Sequence, residues 1–230
     1  MPTSYAIDIM MSASTVQQLK QSAFALYGFK AVQTANGAAA PIVWFQTQAQ
    51  SLLTNTQVNW TEQYQAYIST SQIIANGIIT ASSAVDADLG ETANVDKYGN
   101  LNIVEQGTAS AISLNNQSSQ PWTSGISQVV QGQPPSPMVA LPLYGNMLDV
   151  IAPIEQVLLL FASPTVNTGT VIYKSYSSGV LVDLTGAPGN PASRTVMFDL
   201  NDGWSWGGAP WGTPVQAQED LIPILIIPGS

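Results

Sequence analysis

Hydrophobic and polar positions along this chain alternate far more often than they recur with helical spacing, and the alternation sets the first expectation of fold. The clearest stretch joins Val58, Trp60, Tyr64, Ala66 and Ile68 on one side to Asn59, Thr61, Gln63, Gln65 and Tyr67 on the other. A two-residue period of this kind predicts a strand with one buried face. Glu62 breaks the pattern by occupying the otherwise apolar side, so it marks either a sheet edge or a buried carboxylate with a raised pKa. Pro41 to Gln48 is rich in strand formers, and Ile78 to Ser83, Leu101 to Gln106 and Ser110 to Leu114 are shorter candidates, with residues 96–100 (DKYGN) as a turn. In the second half Ile154 to Ala162 is almost continuously apolar, as expected of a strand covered on both faces.

Val171 to Tyr176 and Val180 to Leu184 flank Ser177-Ser178-Gly179, which predicts a three-residue hairpin. Thr195 to Leu200 and Leu221 to Ile227 supply further strands, and Pro223 confines the last to an edge or bulge. One helix is expected. Ser14 and Gln17 have capping-box spacing, Val16, Leu19, Ala23, Leu26 and Tyr27 recur at helical offsets, and Gly28 is placed to end the segment. The competing reading is a strand through Phe24, Leu26 and Gly28.

These elements predict an all-β or mainly β protein built from antiparallel β-sandwiches, with one short N-terminal helix near residues 14–27. Residues 116–137 are dense in Asn, Gln, Ser, Gly and Pro, and Pro134-Pro135-Ser136-Pro137 is a poor continuation of any ladder. The expected division is therefore an N-terminal mainly β domain over 1–133 and a C-terminal sandwich over 138–230, with a single large β domain as the alternative. No repeat of fixed period is visible.

Composition then narrows the chemistry. The 230 residues contain neither His nor Cys. That removes histidine-based relays, thiolate nucleophiles, disulfides and the commonest zinc and iron ligands. No Gly-rich phosphate loop or dinucleotide fingerprint is present, so no cofactor is expected. Five Lys and Arg against 14 Asp and Glu give a net charge of −9, which repels phosphate backbones and disfavours nucleic acid as a partner. The N-terminal residues lack a basic region followed by an apolar run, so the expectation is cytoplasmic synthesis without a signal peptide, with leaderless release compatible.

The densest chemical constellation is the run from Asp202 to Gly212, where Trp204, Trp206 and Trp211 fall among Gly and Pro. Indole faces on a loop suit the apolar C–H face of a sugar, with Asp199, Asn201 and Asp202 as hydrogen-bonding neighbours. Core-covering indoles are the competing account. Asp86, Asp88 and Glu91 form the acidic cluster nearest to a Ca²⁺ pattern, but an EF-hand requires Glu where Lys97 stands.

The expected function is a soluble, non-enzymatic recognition protein of lectin-like type, with a glycan or a membrane or protein receptor as partner and a homo-oligomer as one assembly. The alternatives are a membrane-active protein of the pore-forming toxin type or a self-assembling one, because the polar and apolar interleaving from Gly77 to Leu114 suits barrel strands. A glycoside hydrolase using two carboxylates is the third reading, since that chemistry needs neither His nor Cys.

Overall fold

The computed structural model describes residues 2–130, 132–163 and 166–229. In chain order the first half carries β1 (Ser4–Met10), α1 (Ala13–Gln21), β2 (Ala25–Thr34), β3 (Ala40–Pro41), β4 (Phe45–Thr47), β5 (Asn55–Ser69), β6 (Ser83–Ala87), β7 (Thr92–Val95), β8 (Leu101–Val104), β9 (Ile112–Asn116) and β10 (Trp122–Val130). The second half carries β11 (Ser136–Pro137), β12 (Val139–Leu143), β13 (Leu148–Ala162), β14 (Gly179–Asp183), β15 (Ala192–Asp199), β16 (Gly203–Ser205), β17 (Gly212–Val215), α2 (Ile222–Leu225) and β18 (Ile226–Pro228). The mainly β class with a short helix near the start is thus the observed one.

The first sheet runs β16-β15-β1-β5-β10-β12-β3, with β6 on β5 and β11 on β10. In the second, β17-β14-β13-β9-β7-β8 form the path and β2 lies against the other edge of β13, carrying β4 and β18. The sheets are mixed rather than antiparallel throughout, because β1–β15, β7–β9 and β2–β18 pair in parallel. Both sheets join strands from either side of 134–137, so that proline stretch does not separate them.

Alternation places the core. On β5, Val58, Trp60, Tyr64, Ala66 and Ile68 turn inward and share one cluster with Leu26 and Val32 of β2 and Val157, Leu159 and Phe161 of β13. The opposite face of the second sheet is also covered: Tyr27, Phe29, Leu158 and Leu160 pack under Val166, Ile172, Val215, Leu221 and Leu225. β2 and β13 are therefore buried on both faces, which explains the unbroken apolar run of 154–162. Gly28 serves this packing directly. A Cβ there would lie 1.9 Å from Phe45 Cε1, so a glycine lets the ring cross the strand.

Several expectations differ from the structure for identifiable reasons. The helix is nine residues long, capped by Ser12 accepting from the Thr15 N–H rather than by Ser14. It stops at Ser22, after which Ala23 takes a left-handed φ of 53°. Leu26 and Gly28 belong to β2, as the competing strand reading had it, together with Tyr27, whereas Phe24 precedes the strand. The polar segment 116–137 contains β10, a strand between β5 and β12 whose Thr123, Ser124, Ser127 and Gln128 are buried. Its polar side chains hid it. Residues 41–48 give only the short β3 and β4, and 78–83 give an isolated bridge from Ile78 to Thr170 before β6 begins at Ser83. No hairpin forms around 177–179, because β14 pairs with β13 and β17 while 171–176 makes only isolated bridges. Gly179 instead lets β13 approach, since a Cβ would meet the Leu159 carbonyl at 2.7 Å. Pro223 lies in the first turn of α2, where a missing N–H costs nothing, and only Ile226–Pro228 is strand.

Candidate functional site

The tryptophan segment folds back on the core. β15 and β16 form a tight hairpin with Asp199 opposite Gly203, and the turn uses Asp199 as an internal cap. One Asp199 oxygen accepts from the Asn201 N–H and the other from the Thr15 hydroxyl at 2.7 Å. The Thr15 bond, helped by that N–H, holds its carboxyl below the ordinary value. Asn201 and Asp202 are exposed. Trp204 stacks on Phe161 with centroids 5.3 Å apart and tilts against Phe198 at 4.9 Å. Trp206 donates to the Ala209 carbonyl and lies against Gly212, while the Arg194 guanidinium sits 5.3 Å from the centre of Trp211.

Each of the three rings is half-buried with intramolecular partners, so they do not present one shared stacking platform. Trp204→Ala is expected to cost about 3 kcal/mol, the low end for losing a packed aromatic. Trp211→Ala should cost about 1 kcal/mol, the order of an exposed cation–π contact. Urea unfolding of the two variants checks the difference.

The acidic cluster does not converge. Asp86 accepts from Gln65 Nε2 on the neighbouring strand, whereas Glu91 turns back to the Asp88 N–H. Among the described residues no three acidic side chains are grouped to hold a metal ion.

Two other places carry chemistry. The first is inside the sandwich, where Lys30 follows Leu26 and Gly28 on the inward face of β2 and is wholly removed from solvent. Its Nζ donates to Glu155 Oε2 and lies 4.7 Å from the Trp60 ring, 5.5 Å from Trp44 and 5.8 Å from Tyr5. Burial pulls the ammonium pKa down, opposed by the charge and hydrogen bond of Glu155 and by the charge of Glu62. Glu155 sits in an irregular stretch of β13, where the register to β2 shifts between Pro153 and Val157. Bulges of this kind re-aim side chains. Trp60 Nε1 donates to the same carboxylate oxygen at 3.3 Å.

Glu62 lies at a gap in the pairing along one side of β5. It is half-buried where β1 has ended and β6 has not begun along the same side of β5, and it accepts from the Tyr5 hydroxyl at 2.9 Å. Burial, with Glu155 and Glu62 nearby, pushes the Tyr5 and Tyr64 hydroxyls well above their ordinary values. Lys30 was missed in the sequence because the helix reading ended at Gly28 and no strand was assigned beyond it, although β2 runs to Thr34. The available signal was one of only four lysines set among strand-forming residues.

The second place is the outer face of the first sheet. Gln57, Asn59, Thr61 and Gln63 point away from the core on β5, beside Ser4 of β1. With Val129, Asn190 and Pro191 they line an open groove of about 580 Å³ that contains no charged residue. Gln57 donates to Asp8 and Asn59 donates to Gln57, so the carboxamides are ordered along the strand. These residues form the polar side of the alternation that identified β5, but their placement beside Asn190 depends on β1 pairing with β15 across the whole chain. No family model, curated protein or solved structure matches the chain.

Proposed function

We propose that this protein is a non-enzymatic recognition module that binds a neutral, hydroxyl-rich ligand of the glycan type in the groove on the outer face of the first sheet. The observation that carries this reading is the lining itself. Each carboxamide offers two donors and an acceptor, the pattern that complements a hydroxyl able to do both, and charge is absent from the groove walls. Val129 and Pro191 add an apolar contact for C–H faces. Strand-borne side chains are held more firmly than loop side chains, which limits the entropy lost on binding. This relocates the lectin-like reading from the tryptophan turn to the sheet. On a glycan array, Gln57→Ala and Gln63→Ala should each weaken binding about tenfold, the loss of one or two hydrogen bonds. Stability should move by less than about 0.5 kcal/mol, as for ordinary surface substitutions. Retained binding in both variants, or no glycan bound by the wild type, would remove the proposal.

One observation favours a second reading, association with a neutral membrane surface. The C-terminal ends of β7 and β9 meet the start of β13, and there Tyr98 is 75% exposed, Tyr144 60%, and Met147 and Leu148 54% each. Tyrosines flanking aliphatic tips suit the headgroup boundary. Met147→Asp should abolish co-sedimentation with phosphatidylcholine vesicles if this reading holds, and failure of the wild type to co-sediment rules it out.

A further inference from the structure

We propose that Lys30 and Glu155 are the two halves of an intramolecular amide cross-link that joins β2 to β13 inside the sandwich. Four observations carry this. Lys30 Nζ has no solvent exposure, and among the described residues its one hydrogen-bond acceptor is Glu155, although an ammonium carries three donors. The rings of Tyr5, Trp44 and Trp60 stand around the nitrogen and offer no lone-pair acceptor for its other two N–H groups, whereas a secondary amide would carry only one N–H. Trp60 Nε1 donates to the Glu155 oxygen that Lys30 also contacts, so a donor is already aimed at the atom that would carry negative charge during attack. Finally, Glu155 lines an open crevice of about 440 Å³ with Thr3, Tyr5 and Ala187, which gives a released water a way out.

The step balances without any co-reactant. Burial already pulls the Lys30 pKa down, so the step begins with one Nζ proton passing to the Glu155 carboxylate through the Oε2 contact and settling on Oε1, which leaves a free amine facing a carboxylic acid. The amine lone pair attacks Cδ, and Oε2 takes the negative charge under the Trp60 N–H. A second Nζ proton then moves to the Oε1 hydroxyl, the Cδ–Oε1 bond breaks and water leaves. The product is a secondary amide that retains one N–H. Fixed strands hold amine and acid together at an effective concentration of about 10⁵ M or more, which is what makes an otherwise slow condensation feasible. Glu62, held by the Tyr5 hydroxyl, is the second carboxylate whose charge acts on Lys30. It does not enter the bond.

The intact mass of the denatured wild-type protein tests this directly. It should be one water lighter than its sequence requires, and digestion should yield a branched peptide joining the segments around Lys30 and Glu155. Lys30→Met should restore the full mass. Glu155→Gln should close the same amide with loss of ammonia and reach the wild-type cross-linked mass. A wild-type protein of full mass overturns the proposal. So does a missing water that persists in Lys30→Met or maps elsewhere, for instance to a succinimide at the Asp202-Gly203 pair.

Discussion

Lys30→Met is expected to destabilise the fold by about 3 kcal/mol or more, because it removes the proposed link between β2 and β13 and leaves the Glu155 carboxylate buried without its partner. The substitution keeps the length and bulk of the side chain, so the loss is not a cavity effect. What remains is the Glu155 carboxylate, 13% exposed, with the Trp60 N–H as its one other side-chain donor among the described residues. Adding Glu155→Leu should recover the part of the loss that comes from the stranded charge, because an apolar pair of similar volume suits that site. Denaturant unfolding of both variants measures the recovery. A single variant as stable as wild type would mean that the lysine contributes nothing to holding the sheets together.

Trp44→Ala should be comparably severe, at about 3 to 5 kcal/mol. The indole is completely buried between the sheets, edge-on to both Phe45 and Trp60, with centroids 5.5 and 5.4 Å away. Its Nε1 donates to the Gln128 carbonyl at 3.2 Å, so truncation leaves a buried acceptor without that partner as well as a void. For a chain of this length the loss corresponds to a fall in Tm of roughly 10 °C. Calorimetry of the variant checks it. A shift of only a degree or two would show that the inter-sheet core can collapse around the missing ring.

The contrast between these two positions shows which parts of the architecture the sequence displays. Trp44 sits in a run of strand formers and its burial follows from residue type. β5 and the centre of β13 were legible for the same reason, since alternation and an unbroken apolar run report one-sided and two-sided burial. β10 was not, because Ser124, Ser127 and Gln128 are buried polar side chains and a pattern of apolar positions does not register them. β2 was obscured by a helix whose apolar spacing runs on into the strand, and the break at Ala23 rests on a left-handed residue with no glycine to announce it. The tryptophan cluster was plain in the sequence, but the covering of Trp204 by Phe161 depends on a pairing between distant segments. Lys30 and Glu155 are separated by 125 positions, so their meeting is likewise invisible until β2 and β13 are in register.

The groove on the first sheet is partly legible in this sense. Its amides are the polar half of β5, whereas Asn190 and Pro191 arrive through the parallel pairing of β1 and β15. The claim that this face is the recognition surface is tested most directly by nuclear magnetic resonance titration of the side-chain amide and indole N–H signals with a panel of neutral oligosaccharides. The expected result is saturable shifts at the carboxamides of Gln57, Asn59, Gln63 and Asn190, with the indoles of Trp204, Trp206 and Trp211 unmoved. Shifts confined to the three indoles, or none anywhere across the panel, would contradict it.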